Sequence, residues 1–157
     1  SLPRLTLFYD YDIVGDDKEI LKHFYSKDFD FTKTLILEQK LDVSLVGGKG
    51  KVSIISYLPN KILANASTNT TALLFLSDTY YPGWRVFVDN AETKIYRANY
   101  AFRTIVVPEG EHTVEFVYEP WSFKMGLLLA VVGALGIVSG AKILDIKNKI
   151  SKVQSKN

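Results

Sequence analysis

The sequence predicts a mainly β protein, an antiparallel β-sandwich with one short helix, followed by a C-terminal transmembrane α-helix. Three observations predict it. From Lys51 onward short runs alternate apolar and polar residues at a period of two and are separated by tight turns, the pattern of antiparallel strands. Only one earlier stretch, near Asp16, has helical spacing. Finally, the seventeen residues between Lys124 and Lys142 carry no charge, which is a lipid signal more than a domain-core signal.

In chain order, Leu5–Tyr11 (LTLFYDY) is apolar and aromatic and predicts a strand. Asp16 and Asp17 open DDKEILKHFYS, where Ile20, Leu21 and Phe24 share a helical face and the acids sit where a helix N-terminus favours negative charge. Asp28–Phe31 predicts a loop, Thr34–Glu38 a strand and Val46–Gly50 a flexible turn. That glycine cluster lacks the spacing of a phosphate loop. KVSIISYL places Val52, Ile54 and Leu58 on one face, Asn60 punctuates, and KILANAS continues. TALLFLS is apolar on both faces and predicts a central strand. Pro82-Gly83 turns the chain into a strand with Trp84, Val86 and Val88 on one side, and Asp89-Asn90 turns it again into ETKIYRAN. Pro108–Glu111 predicts a hairpin joining AFRTIVV to HTVEFVYE, with Val114, Phe116 and Tyr118 on a common face. About eight strands joined by short turns imply antiparallel pairing, since parallel pairs need long crossovers.

The last segment is apolar all round, with Ser139 its one hydroxyl. Counting Trp121–Leu144 gives 24 residues, roughly 36 Å of helix against a hydrocarbon core of about 30 Å. Lys142, Lys147, Lys149, Lys152 and Lys156 follow it against a single Asp145, so the positive-inside rule puts the tail in the cytoplasm. The expected organisation is an extracytoplasmic β domain at 1–120, a transmembrane helix at 121–146 with Trp121 and Phe123 at headgroup level, and a basic cytoplasmic tail at 147–157.

With 157 residues, 47% of them hydrophobic and 23% charged, the chain can bury an ordinary core. A net charge of +2 argues against nucleic acid, whose binding surfaces cluster Lys and Arg. Zero cysteines exclude disulfides and thiolate metal sites. The two histidines, His23 and His112, stand in no metal-ligand spacing. No cofactor is expected. The only methionine is Met125 and no signal peptide begins at Ser1, so the chain is expected to be a piece of a longer polypeptide whose upstream part supplies export.

DTYYPGWRVFVD (78–89) and ANYAFRTIVVPEGEHTVEFVYEPWSFKMG (98–126), followed by the apolar segment, carry a family resemblance. So do SLPR and the DDKEIL and DFDFTKTLILE stretches. The chain resembles the C-terminal part of the YfhO-type bacterial membrane proteins, polytopic relatives of the C-type fold glycosyltransferases. Asn90 stands where the family usually has glycine, and Asn tolerates the positive φ such a turn needs. The resemblance implies a parent that uses a lipid-linked sugar donor and glycosylates a cell-envelope polymer. Its catalytic acids would lie in N-terminal membrane loops absent here, so no catalytic residue is expected in this chain. The partners it implies are the bilayer, the membrane-embedded part of the same protein and an envelope glycopolymer.

Aromatic rings with interleaved arginines can recognise sugars, and Tyr80, Tyr81, Trp84, Tyr100 and Arg103 form the candidate glycan-binding set. The alternative is that Tyr80, Tyr81 and Trp84 fasten the Pro82-Gly83 turn and fill the core while the arginines face solvent. Gly136 and Gly140 have the small-xxx-small spacing of packed membrane helices. Two rival functions remain open on the sequence: a polymer-binding or structural module with no enzyme attached, and a soluble β domain whose last helix packs on a partner.

Overall fold

The computed structural model describes residues 3–154, with the side chains of Val138, Ala141 and residues 143–154 outside the described set. The chain divides into two compact units, Ser1–Glu119 and Pro120–Asn157. The first holds eleven strands and one helix: β1 (Leu5–Phe8), β2 (Tyr11–Ile13), α1 (Asp17–Phe24), β3 (Leu35–Leu37), β4 (Gly50–Leu58), β5 (Lys61–Thr68), β6 (Ala72–Leu76), β7 (Trp84–Val88), β8 (Ala91–Thr93), β9 (Tyr96–Ala98), β10 (Phe102–Val107) and β11 (Gly110–Tyr118). They form a six-stranded sheet, β1-β6-β10-β9-β3-β2, and a five-stranded sheet, β4-β5-β11-β7-β8.

The two sheets share a core. Leu5, Leu74, Leu76, Ile105 and Val107 of the first interdigitate with Ile62, Ala64, Val86, Val114 and Phe116 of the second, the inner-face alternation that a sandwich requires. A second cluster, with Phe8, Leu37, Leu41, Leu73, Phe75 and Tyr96, buries the other face of the six-stranded sheet. That double burial explains why Ala72–Leu76 is apolar at every position.

Three expectations need correction. The sandwich is not wholly antiparallel: β2 and β3 pair in parallel, Tyr11 opposite Leu35. The helix α1 between them supplies the crossover that a parallel pair needs. Its N-cap is Asp16, whose carboxylate accepts from the Lys18 and Glu19 amides. Of the expected helix face, Ile20 is buried and Leu21 exposed. Second, Pro108–Glu111 does not close a hairpin. β10 pairs with β6 and β9 whereas β11 pairs with β5 and β7, so the turn, with Gly110 at φ 125°, carries the chain from one sheet to the other. ETKIYRAN likewise splits between the sheets as β8 and β9. Third, a bulge between Ile54 and Ser56 shifts the register of β4 and reverses its side-chain parity. Leu58 therefore leaves the face of Val52 and Ile54, and Tyr57 comes opposite Ile62 on the core side.

The Asp89-Asn90 turn forms as expected. Both residues have positive φ, 49° and 68°, closing a two-residue hairpin in which Val88 faces Ala91.

The second unit contains α2 (Trp121–Gln154), so helix continues past the expected boundary at 146. Among the described residues no helix is long and apolar enough to cross a membrane, and the expected spanning segment is not supported at that level. Its second half includes Val138, Ala141 and the stretch from Ile143, whose side chains lie outside the described residues, as do those of the lysines from Lys147 on. The large apolar side chains that are described, from Trp121 to Ile137, are all exposed, between 38% at Met125 and 76% at Ile137.

Candidate functional site

The five residues of the aromatic-arginine set come from the β6–β7 and β9–β10 connections and the strands that follow them, and the structure brings only some of them together. Trp84 opens β7 opposite Tyr118, the last residue of β11. Their rings lie 5.4 Å apart, and the Tyr81 ring lies 6.4 Å from that of Tyr118. Tyr81 remains 61% exposed and Tyr80 41%, so neither fills the core. Tyr80 is fixed through its backbone, its amide donating to the Ala101 carbonyl over 2.7 Å. Tyr100 sits in the positive-φ pair Asn99-Tyr100, its ring under the Arg97 guanidinium at 4.9 Å. Arg97 in turn pairs with Asp17, in α1, and with Glu38, so Tyr100 belongs to a different contact group from the Trp84–Tyr118 stack.

Arg103 does not face solvent. Its side chain is 2% exposed because β10 alternates, and Arg103 shares the inner face with Ile105 and Val107. The guanidinium stacks over Trp84 with 4.1 Å from Cζ to the ring centroid, and Phe116 lies at 5.9 Å. Its charge is answered by Asp78, Nη2 to Oδ2 at 3.6 Å. Nε and Nη1 are buried without a hydrogen-bond partner among the described residues. Burial accordingly lowers the Arg103 pKa from the usual arginine value, with Asp78 opposing the shift.

Sequence reasoning missed Asp78 and Tyr57. The Tyr57 hydroxyl donates to Asp78 Oδ2 over 2.6 Å, and the Arg4 guanidinium lies over the Tyr57 ring at 4.4 Å. Burial, then the Asp78 carboxylate, pushes the Tyr57 phenol up. Arg4, Tyr57, Asp78, Arg103 and Trp84 thus make one chain of polar and π contacts along the end of the sandwich. The signal for Arg103 was in its phase with Ile105 and Val107; nothing comparable marked Tyr57, whose register opposite Ile62 depends on the bulge.

Among the described residues no three His, Asp or Glu side chains are grouped to hold a metal. His23 Nε2 pairs with Asp12 at 2.8 Å, and His112 Nδ1 with Asp89 at 2.6 Å. Asp89 also accepts from the Thr113 amide, fastening the β7–β8 turn to β11. A Cβ built at Gly136 or Gly140 would meet nothing within 4 Å among the described residues. His112 and Asp89 line one surface cavity together with Lys51, Asn65, Ser67 and Glu111. The aromatic end of the sandwich presents the exposed Tyr80 and Tyr81 near the ion-paired Arg103.

Residues 43–130, rather more than half of the chain, match the family model described as bacterial membrane protein YfhO. The chain is 21% identical over 111 residues to the protein named "Uncharacterized protein YfhO" of Bacillus subtilis strain 168. That alignment covers 71% of this chain and 12% of the relative, so the chain spans about an eighth of that protein's length. No solved structure matches.

Proposed function

The chain belongs to the family of bacterial membrane protein YfhO, and from that premise we propose that it is the accessory extracytoplasmic β domain and membrane anchor of a polytopic, glycosyltransferase-type parent. The family is one of bacterial membrane proteins, which sets the chain at a bacterial membrane. The parent's reaction, transfer of a sugar from a lipid-linked donor to an envelope polymer, is the activity suggested by the resemblance. This chain contributes no catalytic group to it.

One observation carries the anchoring role. The first helical residue, Trp121, follows Tyr118, the end of β11, after Glu119 and Pro120 alone, and every large apolar side chain described from there to Ile137 is exposed. Leaving such side chains in water costs about 1.5–3 kcal/mol each relative to burial, and hydrocarbon removes that cost. In this arrangement the β domain faces away from the cytoplasm, the lysines after the span stay inside, and Gly136 and Gly140 admit close approach of another span of the parent.

Alkaline-carbonate extraction of membranes carrying the protein tests this. An anchored chain stays in the pellet, and a soluble domain that docks its helix on a partner is released. A polymer-binding role is a second function, favoured by the exposed Tyr80 and Tyr81 beside the Tyr118–Trp84 stack. Tryptophan fluorescence during titration with an anionic envelope polymer reads it directly: Trp84 shifts if the stack takes the polymer and stays constant if it does not.

A further inference from the structure

At the end of the sandwich from which the chain leaves, two turns are fastened to the departing segment by backbone hydrogen bonds: the Tyr118 amide donates to the Asn60 carbonyl over 2.9 Å and the Glu119 amide to the Gly83 carbonyl over 2.7 Å. Each turn displays apolar or aromatic side chains to water, Leu58 at 51% on one and Tyr81 at 61% on the other, with Tyr80 and Tyr57 nearby. Asp78 is occupied by Tyr57 and Arg103, and Glu119 by Arg85. The exposed Arg4 guanidinium lies over the Tyr57 ring. Only Glu119 and Pro120 separate the end of β11 from the first residue of α2 in the chain.

We propose that this end of the β domain is a membrane-docking surface, with Leu58, Tyr80 and Tyr81 seated in the phospholipid headgroup layer and Arg4 facing its phosphates. Tyrosine suits this layer because its ring is apolar and its hydroxyl wet. The surface would hold the sandwich against the bilayer instead of leaving it to swing on its tether. The proposal rests on the anchoring role of α2.

The absence of native cysteine permits single-site spin labelling of the full chain in nanodiscs of mixed phosphatidylglycerol and phosphatidylcholine. Labels go at Leu58→Cys and Tyr81→Cys, at Glu109→Cys in the β10–β11 turn as the aqueous control, and at Leu128→Cys within α2. Collision with lipid-partitioned oxygen relative to a water-soluble nickel complex is measured. Docking predicts a ratio at 58 and 81 at least threefold above that at 109. Ratios at 58 and 81 equal to that at 109, with 128 reading hydrocarbon, overturn docking and leave the anchor standing. An aqueous reading at 128 overturns both. Immobilisation of the labels at 58 and 81 only when anionic polymer is added overturns docking in favour of a glycan platform.

Discussion

Replacing Asp78 by asparagine should destabilise the β unit far more than replacing Arg103 by methionine, although the two form one ion pair. The reason is the inequality of their surroundings. The Arg103 side chain is 2% exposed and that of Asp78 21%, and Asp78 keeps the Tyr57 hydroxyl at 2.6 Å when Arg103 is gone. Asp78→Asn leaves a guanidinium with two unpartnered nitrogens and no counter-charge in a low-dielectric site, the situation that costs about 3–5 kcal/mol when one partner of a buried pair is removed. The 3.6 Å separation places the expected loss at the lower end, about 3 kcal/mol. Arg103→Met instead removes the desolvated charge and gives up the stack on Trp84, opposing effects of about 1–2 kcal/mol each. Its net change should lie within about 1 kcal/mol of zero. Urea unfolding of the full chain in detergent, followed by Trp84 emission in a Trp121→Phe background, reads both. With a slope of about 2 kcal/mol per molar, Asp78→Asn should lower the midpoint by about 1.5 M and Arg103→Met by less than about 0.5 M. Equal losses, or a larger one for Arg103→Met, would refute the assignment of the burden to a buried, under-partnered guanidinium.

The His112–Asp89 pair makes stability depend on pH. The Asp89 hydrogen bond raises the His112 pKa from 6.5, against partial burial, and His112, then the Thr113 amide, lowers the Asp89 pKa from 3.8. The raised histidine contributes below its unfolded pKa and loses that contribution as pH rises through its folded value; the depressed carboxylate contributes above its unfolded pKa and loses it as pH falls through its folded value. The pair therefore stabilises most between pH 3.8 and 6.5. An NMR titration should place the His112 midpoint above 6.5 and Asp89→Asn should bring it down; a midpoint unmoved by that substitution contradicts the pairing. At the β7–β8 turn, Asn90 has φ 68°, so Asn90→Gly should leave the thermal midpoint nearly unchanged and Asn90→Val should cost about 1–2 kcal/mol. Phe116→Ala, at a fully buried position between the sheets, should cost about 3–5 kcal/mol in the same urea assay.

Strand positions were legible where burial repeats along the chain. Ala72–Leu76 declared itself central because both its faces are covered, and Trp84, Val86 and Val88 alternate as their pairing requires. Sheet membership was not legible, because turn chemistry records that the chain reverses without recording which neighbour the next strand meets. Pro108–Glu111 and the Lys94-Ile95 step both cross between sheets and look locally like hairpin or strand. The parallel β2–β3 pair follows from the recognised helix between two strands, a consequence obscured by the antiparallel pattern of everything after it. At the chain-exit end the aromatic residues stood out, but the feature that organises them, a buried arginine answered by Asp78 and Tyr57, joins positions 57, 78 and 103 that no local pattern connects. Bulk charge rules put arginine on the surface; only its phase with Ile105 and Val107 places it inside.

In the proposed anchoring α2 crosses the bilayer with the sandwich outside, and single-cysteine labelling in intact bacteria measures that most directly. Cysteine placed at Glu109 should react with a membrane-impermeant maleimide in intact cells, and cysteine placed at Ser151 should react only after the membrane is permeabilised. Labelling of both positions in intact cells, or of Ser151 alone, would contradict it.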